Sequence, residues 1–198
     1  PGAYHVELSA RPPIPNTIAV NGPPALKSLI ATGIPAEQVV EVEALAYLYL
    51  KEVCSVVSSP EISNATMKLL VLGDFFDHQN VALLTMLQGS LAFTHRQISI
   101  TVKPHPLRPI EHQDFPLLRF DIDTRPLAQQ LSECDTVLAT NGTSASAEAY
   151  QCGIPVITIL NGETFNFSPL RDVRDATFVD SAAHLALALE EAAPIGQE

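Results

Sequence analysis

A histidine between two prolines is the feature of the sequence best suited to chemistry. The segment Lys103-Pro104-His105-Pro106 follows a predicted strand over residues 98–102. The two prolines restrict the backbone and lower the entropy cost of holding the imidazole in one place. A histidine beside a lysine suits a phosphate group, through charge-assisted hydrogen bonds, or a leaving group that needs a proton. The alternative interpretation is a rigid surface loop with a solvated histidine.

A second candidate is the segment Asn141-Gly142-Thr143-Ser144, which follows another predicted strand and opens a helical pattern. The free N–H groups at the start of a helix, next to glycine and small hydroxyl residues, form a favourable anion site. The alternative is that Thr143 or Ser144 only caps the helix. The two roles do not exclude each other.

Glu148 lies four residues after Ser144, so both residues share one helix face. A carboxylate one turn into a helix whose start binds phosphate can accept hydrogen bonds from ribose hydroxyls. The alternative is a solvated glutamate on a surface helix, which is the usual environment of this residue. The small alanines around Glu148 favour the functional interpretation.

The segment from Gly73 to His78 follows the first strand of the larger predicted unit. Gly73 is predicted to let the backbone approach a ligand or substrate. Asp77 and His78 could be metal ligands, but they are adjacent and no second cluster of ligands follows at suitable spacing, so Asp77 is predicted to be a helix N-cap and no metal is expected. The patterns Gly-x-Ser-x-Gly and Gly-x-Gly-x-x-Gly, typical of serine hydrolases and dinucleotide-binding proteins, are missing.

Alternating strand and helix patterns must position these residues. Strands are predicted over residues 17–20, 38–42, 68–72, 98–102, 118–122, 136–140, 155–160 and 177–179, and helices from 23 to about 30 and over 43–53, 80–91, 125–132, 144–151 and 181–192. Gly33 and Gly153 are predicted to end helices, and Ser181 to cap one. The pattern predicts an α/β fold with a doubly wound, Rossmann-like parallel sheet, whose ligands bind beyond the carboxyl ends of the strands.

Composition excludes several functional classes. The chain has 198 residues, with 11 Lys+Arg against 22 Asp+Glu, and this acidic balance argues against binding of nucleic acid. No apolar stretch is long enough to span a membrane, and the start of the chain lacks a signal-peptide pattern. The missing initiator Met indicates a processed product or an excised piece. Three cysteines without zinc-site spacing favour a reducing compartment, with Cys134 and Cys152 as buried small apolar groups.

These motifs together resemble the C-terminal, donor-binding domain of a bacterial glycosyltransferase of the glycosyltransferase-B fold. Three motifs carry the resemblance: the Lys-x-His-Pro loop (Lys103, His105, Pro106), the helix start (Thr143, Ser144) and the Glu-Ala-x-x-x-Gly-x-Pro-Val-Ile segment over residues 148–157. The combination is similar to enzymes that use CMP-sugars, namely sialyltransferases, polysialyltransferases and Kdo transferases of lipopolysaccharide and capsule synthesis.

The resemblance implies a role for each motif. His105 would bind or protonate the leaving phosphate, Thr143 and Ser144 would bind its oxygens, and Glu148 would contact the donor ribose. Gly73, Asn141 and Gly142 complete the expected donor site, and no cofactor is implied. The expected partners are a nucleotide-sugar, with CMP favoured, and a glycan or lipid-linked acceptor.

The resemblance also implies two domains. Residues 1–60 would be the end of the acceptor domain with a linker, and residues 61–198 the nucleotide-sugar-binding domain. Most of the acceptor domain, with the catalytic base, would then lie outside this chain, so that the chain binds donor without transferring sugar. A cytoplasmic location is expected, peripheral at the inner membrane in the full-length protein. A UDP-sugar transferase or epimerase-like enzyme, a CDP-glycerol-type glycerophosphotransferase and a non-catalytic scaffold remain alternatives.

Overall fold

The part of the chain that the structure describes contains two parallel β-sheets, one in each of two units. The computed structural model describes residues 15–43, 47–56, 66–160, 162 and 165–192. The two units lie within residues 1–48 and 49–198. The domain boundary expected between residues 60 and 61 lies outside the described residues, as does most of the predicted linker.

The first unit contains a strand, a helix and a second strand. Strand β1 (Ile18–Asn21) pairs in parallel with β2 (Val39–Val42), and helix α1 (Pro23–Ala31) connects them. Prolines open α1, where their missing N–H groups cost no hydrogen bond. Gly33, at a φ of 91°, ends the helix and donates its N–H to the carbonyl of Ile30. The predicted strand–helix–strand arrangement is therefore confirmed.

The second unit is a larger parallel sheet flanked by helices. Its strands are β3 (Met67–Leu72), β4 (Ile98–Lys103), β5 (Asp121–Ile122), β6 (Thr136–Thr140), β7 (Val156–Ile159) and β8 (Thr177–Val179). Its helices are α2 (Leu50–Val56), α3 (Asp77–Ser90), α4 (Leu127–Leu131), α5 (Ala145–Gln151) and α6 (Ala182–Glu191).

The strand order is β5-β4-β3-β6-β7-β8, and every neighbouring pair is parallel. The chain therefore builds outward from β3 to β5, returns, and builds outward again from β6 to β8. This is the doubly wound, Rossmann-like order, so the predicted fold class is confirmed. The order reverses between β3 and β6, and sheets of this kind bind ligands at the carboxyl edge of that point.

Both faces of the central strands are buried, as expected for a parallel sheet covered on each side. Alternate residues of β3 point to opposite faces: Leu69 and Val71 pack with α3 and α6, whereas Leu70 and Leu72 pack with α2, α4 and α5. The buried side chains of each face fix β3 and its neighbours in register, which holds the loops at their ends in fixed positions.

Some predicted elements differ at their ends. The strand predicted over residues 118–122 is only β5, because Leu118 and Phe120 pack into the core from an irregular segment instead. The helix predicted over residues 43–53 starts at Leu50, although residues 44–46 lie outside the described part. The Ser181 cap is confirmed by the N–H of His184, which donates to its hydroxyl at 3.3 Å. Gly153 ends α5 as predicted, at a φ of 75°.

Two of the cysteines are joined. Cys54 of α2 forms a disulfide with Cys152, next to the end of α5, so the interpretation of Cys152 as a small apolar group is wrong. Cys134 is free, and burial raises the pKa of its thiol to about 12. Because disulfides are typical of oxidising compartments, the cysteines do not support the predicted reducing compartment.

None of the helices in the part of the chain that the structure describes has the length and hydrophobicity of a membrane span.

Candidate functional site

The predicted site residues follow three neighbouring strands. Leu72, the last residue of β3, pairs with Lys103 of β4 on one side and with Ala139 of β6 on the other. The segments that begin at Gly73, Pro104 and Asn141 therefore leave the same edge of the sheet side by side. This edge is the carboxyl edge, at the point where the strand order reverses.

Gly73 joins the end of β3 to the histidine loop. Its N–H donates to the carbonyl of Lys103 at 2.9 Å. A Cβ at this position would lie 3.1 Å from three backbone atoms: N of His105, O of Lys103 and Cα of Pro104. A side chain here would be crowded, because the backbone atoms that it meets would have to shift by a few tenths of an ångström. The close approach that Gly73 permits is thus to the loop that carries His105.

Asp74 is a buried carboxylate that holds the two sides of this edge together. Its side chain is almost inaccessible, since the residue is 6% exposed. One carboxylate oxygen accepts the N–H of Phe76 at 3.0 Å, and the other accepts the hydroxyl of Thr140. That second oxygen also lies 3.2 Å from the position of a Cβ on Gly142. Asp74 therefore connects the end of β3 to the segment after β6.

The turn after β3 is closed by Asn80 of α3. The side chain of Asn80 accepts the N–H of Asp74 at 2.7 Å and donates to the carbonyl of the same residue at 3.0 Å. The polar groups of this turn are thus paired with one another. Sequence reasoning placed Asp74 among the residues after a strand that could carry function but gave it no structural role, and it gave Asn80 none beyond the start of a helix.

The imidazole of His105 is oriented by its own loop. The Nδ1 atom of the ring accepts the N–H of Leu107 at 3.2 Å, and the backbone carbonyl of His105 accepts the N–H of Arg108 at 2.9 Å. In a neutral imidazole an accepting Nδ1 assigns the proton to Nε2, which becomes a hydrogen-bond donor. The ring also packs edge-on against Phe75, with the centroids 5.4 Å apart. His105 can therefore present a fixed N–H donor at the carboxyl edge.

Lys103 points away from this loop. Along β4, Ile100 and Val102 face the core with α3, so the alternating Lys103 lies on the face of α4. Its ammonium donates to the carbonyl of Arg125, just before α4. Partial burial lowers the pKa of Lys103, and the charge of Asp123 opposes this effect. A direct contact between Lys103 and phosphate stays a prediction.

The segment after β6 begins with a buried amide. Asn141 is 5% exposed and donates to the carbonyl of Phe165 at 3.1 Å. Ser144 precedes α5 with helical dihedral angles, and its hydroxyl forms no side-chain cap. Ser146 instead donates to the carbonyl of Thr143 at 2.8 Å. Capping by Ser144, which was one interpretation of the sequence, is therefore not the arrangement found.

Glu148 is held by a residue that the sequence analysis did not single out. The hydroxyl of Tyr49, just before α2, donates to a carboxylate oxygen of Glu148. The disulfide between Cys54 and Cys152 joins the same two helices, α2 and α5. A carboxylate can accept several hydrogen bonds, so this contact leaves the predicted ribose contact a prediction. No local pattern could reveal a pairing across 99 residues.

Phe75, Asp77 and Arg108 form a cluster at the same edge. The Nε of Arg108 donates to the carbonyl of Phe75 at 2.9 Å, and its guanidinium carbon lies 4.9 Å from the centroid of the Phe75 ring. A terminal nitrogen of Arg108 lies 3.7 Å from a carboxylate oxygen of Asp77. Asp77 is the first residue of α3 and forms no side-chain cap, so its predicted role as an N-cap is wrong.

A cavity of about 490 Å³ lies beside this cluster, between α3 and the segment over residues 109–117, and Asp77 and Asn80 line part of it. Within the described ranges, no three His, Cys, Asp or Glu side chains lie close enough together to hold a metal ion.

Comparison with known proteins gives a limited result. No protein family matches the chain, and no curated protein matches its sequence. Among solved structures, it is similar to that of the wall teichoic acid polymerase TagF, with a TM-score of 0.46 and 13% identity. The similarity covers 89% of this chain and 48% of the polymerase, so the chain spans about half the length of that protein.

Proposed function

We propose that residues 61–198 bind the nucleotide part of an activated donor, with a CMP-sugar as the favoured donor, for a glycosyltransferase of bacterial surface polysaccharide synthesis. The observation that carries the proposal is the convergence at the carboxyl edge. The loop of His105 and the segment over residues 141–144 lie on either side of the end of β3, where the strand order reverses. Sheets with this order bind nucleotides at that point.

The proposed contacts follow from the chemistry of each group. The Nε2–H of His105 donates to an oxygen of the donor phosphate, and Thr143 and Ser144 contact its other oxygens. Glu148 accepts hydrogen bonds from the ribose, while Lys103 adds positive potential. Fixed donors of this kind stabilise the charge that develops on a departing nucleotide, because they need no reorganisation during the reaction.

The proposed reaction is an inverting transfer without a metal ion. The acceptor hydroxyl loses its proton to a base that is not among residues 61–198 and attacks the anomeric carbon, while the bond from that carbon to the CMP oxygen breaks. Residues 61–198 supply the binding of the leaving group only. Residues 61–198 therefore bind nucleotide in this proposal but do not transfer sugar by themselves.

Calorimetric titration of the 198-residue chain with CMP, UDP and CDP tests the proposal. CMP should bind most tightly. A preference for UDP would indicate a UDP-sugar enzyme, a preference for CDP would favour a glycerophosphotransferase, and either would overturn the choice of CMP. Absence of binding to all three would overturn the nucleotide-binding function and favour a scaffold.

The variant His105→Ala tests the proposed phosphate contact. A hydrogen bond to a charged group contributes about 1.5–3 kcal/mol, so the affinity for CMP should fall about tenfold or more. His184→Ala is the matched control, because His184 lies on α6 and pairs with Asp180. Equal affinity of His105→Ala and the native chain for CMP would count against the proposed role of His105.

A further inference from the structure

Two cations stand close to His105 in the sequence, and the structure gives them different surroundings. Lys103 precedes the histidine by two residues, and its ammonium is bound to the carbonyl of Arg125 on the α4 face of the sheet. Arg108 follows the histidine by three residues and lies over Phe75, in the turn after β3. The second cation shares a neighbour with the imidazole, because the ring of Phe75 contacts both the ring of His105 and the guanidinium of Arg108.

The guanidinium of Arg108 is fixed along one side. Its Nε–H donates to the carbonyl of Phe75, and the guanidinium lies over the ring of the same residue. The backbone N–H of Arg108 is also fixed, since it donates to the carbonyl of His105. A guanidinium carries five N–H donors, so the terminal nitrogens retain donors that an anion can take. Such a fork matches the oxygens of a phosphate in geometry as well as charge.

The ion pair with Asp77 does not block this use. Its two atoms are 3.7 Å apart, and the side chains of Arg108 and Asp77 are 42% and 73% exposed. Exposed pairs of this kind contribute little free energy, because solvent screens both charges. A phosphate can therefore replace the carboxylate at small cost, and the remaining hydrogen bond to Phe75 keeps the guanidinium in place.

We infer that Arg108 is the principal cation for the phosphate of the nucleotide and that Lys103 mainly stabilises the loop between β5 and α4. This inference rests on the proposed function and adds a residue to the same site. The phosphate would be bound by the imidazole of His105 and the guanidinium of Arg108, both of which contact the ring of Phe75.

Binding of CMP and of cytidine to the 198-residue chain tests the inference, because cytidine lacks the phosphate. The affinity of Arg108→Met for CMP should be about tenfold lower than that of the native chain. Its affinity for cytidine should stay within about twofold of the native value. Lys103→Met also removes a charge and keeps an apolar stem, but its affinity for CMP should fall by a clearly smaller factor. Arg119→Met is the matched control, since Arg119 is exposed, lies just before β5 and is not among the proposed donor-binding residues.

Arg108→Lys separates the charge from the geometry of the group. It keeps the positive charge but loses the planar fork, so an intermediate loss of CMP affinity is expected. A loss of CMP affinity in Lys103→Met that equals or exceeds that in Arg108→Met would overturn the inference. So would an equal loss of CMP and cytidine in Arg108→Met, because Arg108 would then act by supporting Phe75.

The two levels of the proposal fail in different ways. If the native chain binds CMP and Arg108→Met binds it equally well, the inference about Arg108 fails and the proposed function stands. If the native chain binds none of CMP, UDP and CDP, the proposed function itself fails. The urea midpoint of each variant, compared with the native value, shows whether its fold is intact.

Discussion

The turn after β3 and the loop after β4 are built in opposite ways. In the turn after β3, Asp74 and Asn80 are buried, and their polar groups are used by one another and by Thr140. In the loop after β4, His105 and Arg108 are only partly buried, and hydrogen bonds to neighbouring backbone groups orient them. The turn after β3 uses its hydrogen-bonding groups internally, whereas the loop after β4 carries the N–H donors that the proposed function assigns to a ligand.

The proposed function therefore gives the turn after β3 a structural role and the loop after β4 a binding role. A substitution in the turn after β3 should lower the free energy of unfolding, because it leaves buried groups without partners. A substitution in the loop after β4 should instead lower the affinity for nucleotide and leave folding nearly unchanged. Measuring both quantities for each variant tests the comparison directly.

Asp74→Ala should have the largest effect on stability. It leaves the hydroxyl of Thr140, which is fully buried, and the N–H of Phe76 without their acceptor. Each unsatisfied buried group costs about 1–3 kcal/mol, so the free energy of unfolding should fall by about 3 kcal/mol in urea titrations. Asp74→Asn keeps the shape of the side chain, so its free energy of unfolding should fall by less. A change below about 1 kcal/mol together with a tenfold loss of CMP affinity would assign Asp74 to binding instead.

Gly73→Ala should have a smaller effect of the same kind. The added methyl group meets three backbone atoms, and overpacking of this type costs about 1–3 kcal/mol. Gly142→Ala is the matched comparison, because its methyl group would meet the side-chain oxygen of Asp74 rather than backbone. A Gly73→Ala protein as stable as the native one would show that the histidine loop can move away from β3.

Pro106→Ala should have the smallest effect. Alanine allows the unfolded chain more conformations, so the free energy of unfolding should fall by about 0.5 kcal/mol. The affinity for CMP should fall about twofold, because His105 loses part of its backbone restriction. Pro116→Ala, at an exposed proline outside the site, should show the stability loss without the change in affinity. The same affinity loss in both variants would argue against a specific role for Pro106.

The sequence predicts the sheet well because its strands are short, apolar and bounded by breaks. The ranges of β6 and β8 agree residue for residue with the prediction, since a β-branched or apolar run ends there at polar residues. The strand expected over residues 118–122 is mostly irregular because burial of Leu118 and Phe120 does not require strand pairing. An apolar run alone cannot distinguish these cases.

The contacts of the candidate site are harder to predict from the sequence than the sheet, because they join segments that are far apart in the chain. The placement of His105 and of the segment over residues 141–144 at one edge follows from the alternation of strands and helices. The direction of Lys103 depends on Arg125, and the partner of Glu148 is Tyr49. Both pairings arise from packing between elements, which a pattern within one element does not contain.

The disulfide between Cys54 and Cys152 gives the candidate site a covalent boundary. The two cysteines are 98 residues apart, and the enclosed segment contains every proposed donor-binding residue from Gly73 to Glu148. A protease that cuts one peptide bond within this ring does not divide the molecule, because both new ends stay attached through sulfur. In the chain-entropy account, closing a ring of this size also lowers the conformational entropy of the unfolded chain, which stabilises the folded state by about 4–5 kcal/mol. The parts of the site therefore remain tethered in one molecule even after their connecting backbone is nicked once.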